Sequence, residues 1–345
     1  MASGMDDRTT RVLRHIVEDY IATAEPVGSR TISKKMGQAL SPATIRNIMA
    51  DLEEAGFLAQ PHTSAGRIPT GAGFRYYIDH LLLRQTLARG EMDQLHRAAG
   101  EGNGPADELV RQVSRLLSNL ARQASVVVVS SPEHQVLRSV SLMRAGVERI
   151  LLVTVMRGGW VQHRLIEGEP DHTGDELEKI SAYLNELAEG RTLPQLRARI
   201  LAELGKEKAR YDRVMGRALA MGARALADAA PGEVFIEGRA NILEQPEFAE
   251  DVDRLKRILR AFEEKSVIFR LLDRAMESRA IQVSVGLENT VEELPDISVV
   301  ASGYRQGASS VGSIGLIGPV RMDYSRVIPL VEYAAGLLTT MFEDR

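Results

Sequence analysis

Two side chains that can recognise bases stand next to each other in the sequence, at Arg46 and Asn47. An arginine can donate a pair of hydrogen bonds to guanine, and an asparagine amide can pair in the same two-point way with adenine. Thr44 precedes them by less than one helical turn and is expected to support them. These residue types at this spacing predict contacts to base edges in the major groove of double-stranded DNA.

Three predicted helices must position these side chains. Apolar residues recur at helical spacing over residues 9–24, which predicts a first helix with one buried face. Ser29 is expected to cap a short second helix. Ser41 followed by Pro42 is a strong start signal for a third helix, whose apolar stripe leaves the two recognition side chains on the solvent side.

The charge of this segment differs from that of the whole chain. The 345 residues carry a formal net charge of -4, whereas residues 26–50 contain Arg30, Lys34, Lys35 and Arg46 and no Asp or Glu. A helix, a short helix, a tight turn and a third helix with a cationic outer face form a helix-turn-helix, whose third helix enters the major groove. The alternative is a small three-helix packing unit with a solvated basic face.

A turn-rich stretch at residues 60–70 is predicted to form a hairpin that lies beside the third helix as a wing. Its serine and arginine side chains are placed to meet the DNA backbone, and the arginine can also reach a minor groove. Phosphate or groove contacts are therefore assigned to five side chains: Ser29, Arg30, Ser41, Ser64 and Arg67.

The rest of the chain alternates between sheet and helix. Segments rich in Val, Ile and Leu predict strands between residues 125 and 167, helical periodicity covers residues 173–227, and strands resume near residue 281. Sheet, helical block and sheet again is the pattern of one α+β domain with an insertion. Glycines at residues 100–104 predict a hinge between the N-terminal unit and this body.

Catalysis and membrane insertion are not indicated. The sequence has no cysteine, which excludes disulfides and thiolate chemistry, and no two of its 7 histidines have the spacing of a helical zinc site. Adjacent carboxylates diverge on a helix, unlike an acid/base pair. The start of the chain lacks the apolar segment of a signal peptide. We expect a cytoplasmic protein with no catalytic residue, cofactor, metal or membrane contact.

One polar segment near the C-terminus, Arg321-Met322-Asp323-Tyr324, follows a predicted strand. Arg321 and Asp323 are expected to pair and to hold the turn from strand to helix. The alternative is a binding site for a small effector.

Two segments show a specific family resemblance. SPATIRNIMADLEEAGFLAQPHTSAGRIPT at residues 41–70 resembles the signature of the heat-inducible transcription repressor HrcA family, and residues 281–338 resemble the C-terminal part of that family. The resemblance implies an α+β multidomain fold with three parts. These are a winged helix-turn-helix over residues 1–88, a GAF-like domain over residues 105–167 and 263–345, and an inserted, largely helical dimerisation domain over residues 168–262.

The resemblance also implies a function. Members of this family repress chaperone operons of the groE and dnaK type by binding the CIRCE inverted repeat as homodimers, and the chaperonin GroEL maintains the active repressor. Two rivals stay open from the residues alone. One is a metabolite-responsive regulator that uses its GAF-like domain as a ligand pocket, and the other is an enzyme with an accessory DNA-binding domain.

Overall fold

The computed structural model describes residues 5–62, 65–100, 106–129, 136–157, 159–167, 173–204, 232–249, 251–289, 291, 294–307 and 309–343. The helices over these residues are α1 Asp7–Thr23, α2 Ser29–Lys35, α3 Pro42–Glu54, α4 Gly71–Tyr76, α5 Arg89–Gly100, α6 Ala106–Ala121, α7 Gly174–Ala188, α8 Leu193–Leu204, α9 Arg239–Leu243, α10 Pro246–Ala249, α11 Val252–Glu263, α12 Lys265–Glu277 and α13 Tyr324–Glu343. The strands are β1 Leu58–Ala59, β2 Ile68–Pro69, β3 Ala124–Val129, β4 Leu137–Arg144, β5 Arg149–Met156, β6 Val161–Glu167, β7 Val234–Glu237, β8 Gln282–Val285, β9 Ile297–Gln306 and β10 Ser309–Pro319.

The N-terminal unit, residues 5–81 and here called the head, consists of α1 to α4 and one hairpin. The Asp6 carboxylate accepts a hydrogen bond from the Thr9 backbone amide at 2.7 Å and so caps α1. The apolar faces of α1, α2 and α3 meet in one core that includes Ile16, Ile32 and Ile45, all fully buried. The predicted third helix is confirmed, since it begins at Pro42 after the Ser41 cap.

The hairpin and α4 close the head. β1 pairs antiparallel with β2, and the Thr70 hydroxyl then accepts from the Gly73 amide at 3.1 Å to cap α4. A π-helical turn, Tyr77–Leu81, continues α4. Gly73 is required here, because a Cβ at this position would lie 2.2 Å from the Phe57 carbonyl oxygen. The hairpin therefore packs tightly against α4.

A five-stranded antiparallel sheet with the order β7-β3-β10-β9-β8 forms the centre of the body, by which we mean α5, α6, β3 and the described residues from 232 to 343. Alternate residues of β3 enter two different cores: Val127 and Val129 belong to the core under α6 and α13, whereas Val126 and Val128 belong to the core under α11 and α12. Both faces of the sheet are thus covered, which explains the uninterrupted run of valines in β3.

A second antiparallel sheet, β4-β5-β6, forms with α7 and α8 a separate three-stranded module over the described residues of 136–204. Side chains of α7 cover the β4 edge: Asn185 accepts from the Val140 amide at 2.8 Å, and Ser181 accepts from the Leu142 amide at 2.9 Å. Thr173 and Glu176 form a capping box at the start of α7.

Strand pairing divides the chain differently from the predicted domain borders. The sequence grouped residues 137–167 with the body, but β4 to β6 pair only with one another among the described strands. It also grouped residues 168–262 as the insertion, but β7, which lies within that range, pairs with β3 of the body sheet. Hydrophobic patterning finds strands without revealing their partners, so these borders could not be read from periodicity alone.

Candidate nucleic-acid interface

The cationic outer face of α3 is built by the helix cap and the core beneath it. The Ser41 hydroxyl accepts from the Thr44 amide at 3.1 Å and lies 2.9 Å from the Thr44 hydroxyl. The buried stripe of Ile45, Met49 and Leu52 fixes the rotation of the helix. As a result, Ser41, Thr44, Arg46 and Asn47 are all exposed.

Arg46 and Asn47 differ from most polar side chains of the head. Among the described residues neither has an ion pair or a side-chain hydrogen bond, so their donors remain open to solvent. Ser41 and Thr44, by contrast, already bond to each other at the helix start. The two side chains predicted to contact bases are therefore open to solvent, on a helix whose first turn is capped by Ser41.

The second helix carries the other predicted cation. Arg30 is exposed, and α2 packs against α3. Ser29 does not cap this helix as predicted: it is the first helical residue, and Gly28 occupies the cap position without a side-chain hydrogen bond. Lys35, also in this basic segment, forms an ion pair with the buried Asp19 of α1, so not every cation of residues 26–50 is free.

Residues at the base of the hairpin contact other elements of the head. The Arg67 guanidinium lies 2.8 Å from the Glu53 carboxylate of α3, and its side chain is only 19% exposed. The Arg67 backbone exchanges two hydrogen bonds of 2.9 Å with Val27. A Cβ at Gly66 would lie 2.4 Å from the Val27 carbonyl oxygen, so only glycine fits there. This geometry gives Arg67 a structural contact where the sequence analysis expected a DNA contact, and Ser64 lies outside the described residues.

Sequence reasoning missed a second set of charged contacts, between the head and the body. Arg75 of α4 donates to the Glu288 carboxylate of the body at 2.9 Å. Arg321 donates to the Ile21 carbonyl at 3.1 Å and binds Glu247, not Asp323 as predicted. The expected Arg321–Asp323 pair is therefore wrong. These partners lie 74 to 300 positions apart in sequence, so no local pattern could have revealed them.

Burial at this boundary also changes the acidity of a tyrosine. The pKa of Tyr77 rises to about 12, mainly because burial disfavours the phenolate and further because Glu18 and Asp323 lie nearby. Tyr77 therefore stays neutral at physiological pH.

No candidate metal site is found: within the described ranges no three His, Asp or Glu side chains gather in a group that could hold a metal ion.

In the part of the chain that the structure describes, no helix combines the length and apolarity needed to cross a bilayer.

Comparison with known proteins identifies the chain. The family model described as HrcA protein C terminal domain matches residues 107–328. Proteins named heat-inducible transcription repressor HrcA from Syntrophobacter fumaroxidans and Geobacter sulfurreducens are 45% and 41% identical to this chain, covering 99% and 98% of it and the same shares of their own length. A crystal structure of a hypothetical protein at 2.2 Å resolution has a TM-score of 0.65 at 22% identity, with 99% of both chains covered, and so shares the fold.

The class of protein follows from these relatives and from the exposed helix α3. The relatives are named transcription repressors, which indicates a transcriptional regulator and not an enzyme. The chain belongs to the HrcA family of heat-inducible transcription repressors, and the resemblance predicted from residues 41–70 and 281–338 is confirmed.

Proposed function

We propose that the head is a winged helix-turn-helix and that the protein represses chaperone operons of the groE and dnaK type by binding the CIRCE inverted repeat in the cytoplasm. The observation that carries this proposal is the free, exposed pair Arg46 and Asn47 on α3. In a helix-turn-helix the exposed side of the second motif helix enters the major groove. Family membership supplies the class of regulated gene.

Each predicted contact takes a role that agrees with its surroundings. Arg46 and Asn47 read base edges, while Thr44 supports them from the first turn of α3. Arg30, with Ser29 and Ser41, contacts phosphate, because all three belong to the starts of α2 and α3, where backbone amides also point outward. Ser64 keeps its predicted phosphate contact at the hairpin. Arg67 acts differently, by holding the hairpin to Glu53.

An inverted repeat requires two heads, and the three-stranded module offers a surface for pairing two copies. One face of its sheet covers the module core, while the other exposes Met143, Val161 and Leu165 at 48%, 56% and 56%. The cross-strand register aligns Met143, Leu151 and Leu165 in one row of this open face. Exposed apolar sheet faces mark interaction sites. We assign this face to a second copy of the chain, with the body as a GAF-like domain and the module as the inserted dimerisation unit.

Substitution on the open face tests the homodimer. Leu165→Glu places a charge in the proposed interface at a position already exposed, so the monomer should still fold. We expect sedimentation to change from dimer to monomer and the operator affinity to fall by about 100-fold, because the second head then binds independently. Leu243→Glu is the matched control, since Leu243 is 45% exposed on α9 of the body. Dimeric Leu165→Glu protein would contradict the assignment.

The chaperonin link rests on family membership. We propose that GroEL maintains the DNA-binding form, so that chaperonin occupied by unfolded protein leaves operons derepressed. Operator binding by purified, heat-treated protein should recover on addition of GroEL and ATP, and should not recover with an equal mass of albumin.

A footprint upstream of the cell's own chaperonin operon tests the operator itself: protection of an inverted repeat supports the function, and protection elsewhere contradicts it.

A further inference from the structure

The head is held against the body by two arginine contacts that cross the boundary in opposite directions. Arg75 of the head donates to Glu288 and, at 2.6 Å, to the Val283 carbonyl of the body. Arg321 of the body donates to the Ile21 carbonyl of the head. Each arginine is bonded to a glutamate of the body, so each charge is neutralised where the two units meet.

The Arg75 contact covers the free edge of the body sheet. Among the described strands β8 is an edge strand, paired with β9 on one side. On its other side the Val283 carbonyl accepts from Arg75, and the Val285 amide donates to Glu288 at 2.9 Å. The edge groups of β8 thus form one network with the head, an arrangement that also protects an edge from pairing with another chain.

The Arg321 contact completes the end of α1. The last carbonyls of a helix lack partners within it and attract positive charge. The last turn of α1 contains no basic residue of its own. Arg321, whose side chain is 15% exposed, supplies that charge from the body while its guanidinium also binds Glu247.

A ring contact and a main-chain bond lie at the same boundary. Phe74 of α4 and Tyr324 of α13 are both fully buried, with ring centroids 6.2 Å apart. Directly after the head, the Gln85 amide donates to the Ser325 carbonyl at 2.9 Å. Arg84, next to it, donates to the Glu332 carboxylate of α13 at 2.8 Å. These contacts lie on α4 and just after the head, so by themselves they leave the head free to turn about that end. The two arginine contacts, at the end of α1 and on α4, remove that freedom because points on different helices fix an orientation.

We propose that Arg75 and Arg321 are positioning residues that set the angle of the head on the body and thereby the half-site spacing that a dimer accepts. The proposal rests on the proposed binding of an inverted repeat, although the head angle itself can be measured without DNA. Neither residue belongs to the outer face of α3. Loss of either contact should therefore leave the recognition of a single half-site unchanged.

The direct test measures the distance between head and body. Because the chain has no cysteine, Glu54→Cys in the head and Glu263→Cys in the body carry two spin labels without background. Labelled chain is diluted into unlabelled chain, so that distances within one protomer dominate. We expect one narrow distance distribution in the parent and a clearly broader one in the Arg75→Ala/Arg321→Ala double variant. A distribution that stays narrow in this variant overturns the proposal.

A second experiment measures binding to DNA with different half-site spacings. The parent should bind its operator at least about tenfold more tightly than a repeat whose half-sites are moved apart by half a helical turn, about 5 base pairs. In the double variant this ratio should fall to about threefold or less, with half-site affinity unchanged. A ratio equal to that of the parent contradicts the inference. Failure of the parent to prefer the inverted repeat over one half-site contradicts the proposed function instead, while the spin-label result still decides the head angle.

Two further variants separate positioning from folding. Glu288→Gln keeps the size of the side chain and removes the charge that Arg75 needs, so it should reproduce the broadened distance in a protein that is slightly less stable but still unfolds in one cooperative transition. Arg11→Ala is the control, because Arg11 forms an exposed 2.8 Å pair with Asp7 within α1, away from the body. It should match the parent in both arms.

Discussion

The outer and inner sides of the head use arginine in opposite ways. Arg46 on the outer side is exposed and, within the described residues, has no carboxylate partner, whereas Arg67 and Arg75 are partly buried and bind Glu53 and Glu288. An arginine whose charge is already neutralised gains less from a phosphate or a base, since it must first give up its carboxylate. Partnering thus separates the cation that is proposed to recognise DNA from the cations that stabilise the head.

The largest expected effect comes from a substitution in the head that separates the hairpin from α4. Gly73→Ala places a methyl group 2.2 Å from the Phe57 carbonyl oxygen, and we expect it to lower the free energy of unfolding by about 3 kcal/mol through overpacking. Calorimetric unfolding measures this loss. Gly71→Ala is the control, because a Cβ there meets nothing within 4 Å. Equal stability of the two variants would contradict the described packing.

On the outer side, Arg46→Ala should act on DNA alone. We expect a loss of about 1 to 3 kcal/mol in operator binding, with relaxed preference at one base pair and an unchanged melting temperature. Fluorescence anisotropy on operators with single base changes reports both effects. A uniform loss across all sequences would instead assign Arg46 to phosphate.

Arg67→Ala tests whether Arg67 stabilises the head or contacts DNA. If Arg67 holds the hairpin to Glu53, the variant should lose about 1 kcal/mol of stability and should keep the salt dependence of operator binding. The slope of log affinity against log salt concentration provides the measurement. A slope reduced by about 0.9 would show that a phosphate contact was lost, as the sequence analysis expected.

The smallest expected effect is one of pH. Burial by itself would raise the pKa of Glu288, but hydrogen bonds from Arg75 and from the Val285 amide outweigh it and lower that pKa below 4.5, with the charges of Arg75 and Arg274 acting in the same direction. A lowered pKa in the folded state stabilises the protein above the unfolded pKa and loses that effect as the pH falls through the folded value.

Acidification below 4.5 should therefore weaken the attachment of the head. The charges facing this carboxylate are Arg75, with its neighbour Asp79, and Arg274. The distance distribution between head and body should broaden at acid pH in the parent. In Glu288→Gln it should already be broad at neutral pH and should change less on acidification. Identical pH profiles in the two proteins would remove Glu288 from this role.

Local signals in the sequence predicted the head well and the contacts between units poorly. The start of α3 at Ser41-Pro42 depends on neighbours within three residues, which a sequence displays directly. The ion pair of Arg67 with Glu53 was not predicted, because Glu53 lies on another element. The pairing of Arg321 with Glu247 and Ile21 depends on how the head meets the body, which no periodicity encodes.

Burial in the structure separates the two sheets in a way that the sequence does not display, since β3 and β5 are both nearly continuous apolar runs. β3 is buried along its whole length, whereas β5 alternates between buried and half-buried residues after its exposed first position. The first pattern belongs to a sheet covered on both faces and the second to a sheet with one open face. That contrast separates the body from the three-stranded module.

One measurement tests the central claim most directly: anisotropy titration of an inverted-repeat operator, a single half-site and a scrambled duplex with the parent protein and with the Arg46→Ala/Asn47→Ala variant. The parent should prefer the inverted repeat over the half-site and the half-site over the scrambled duplex. The variant should remain folded and dimeric while binding all three duplexes alike. A variant that still selects the operator as strongly as the parent would contradict the placement of recognition on α3.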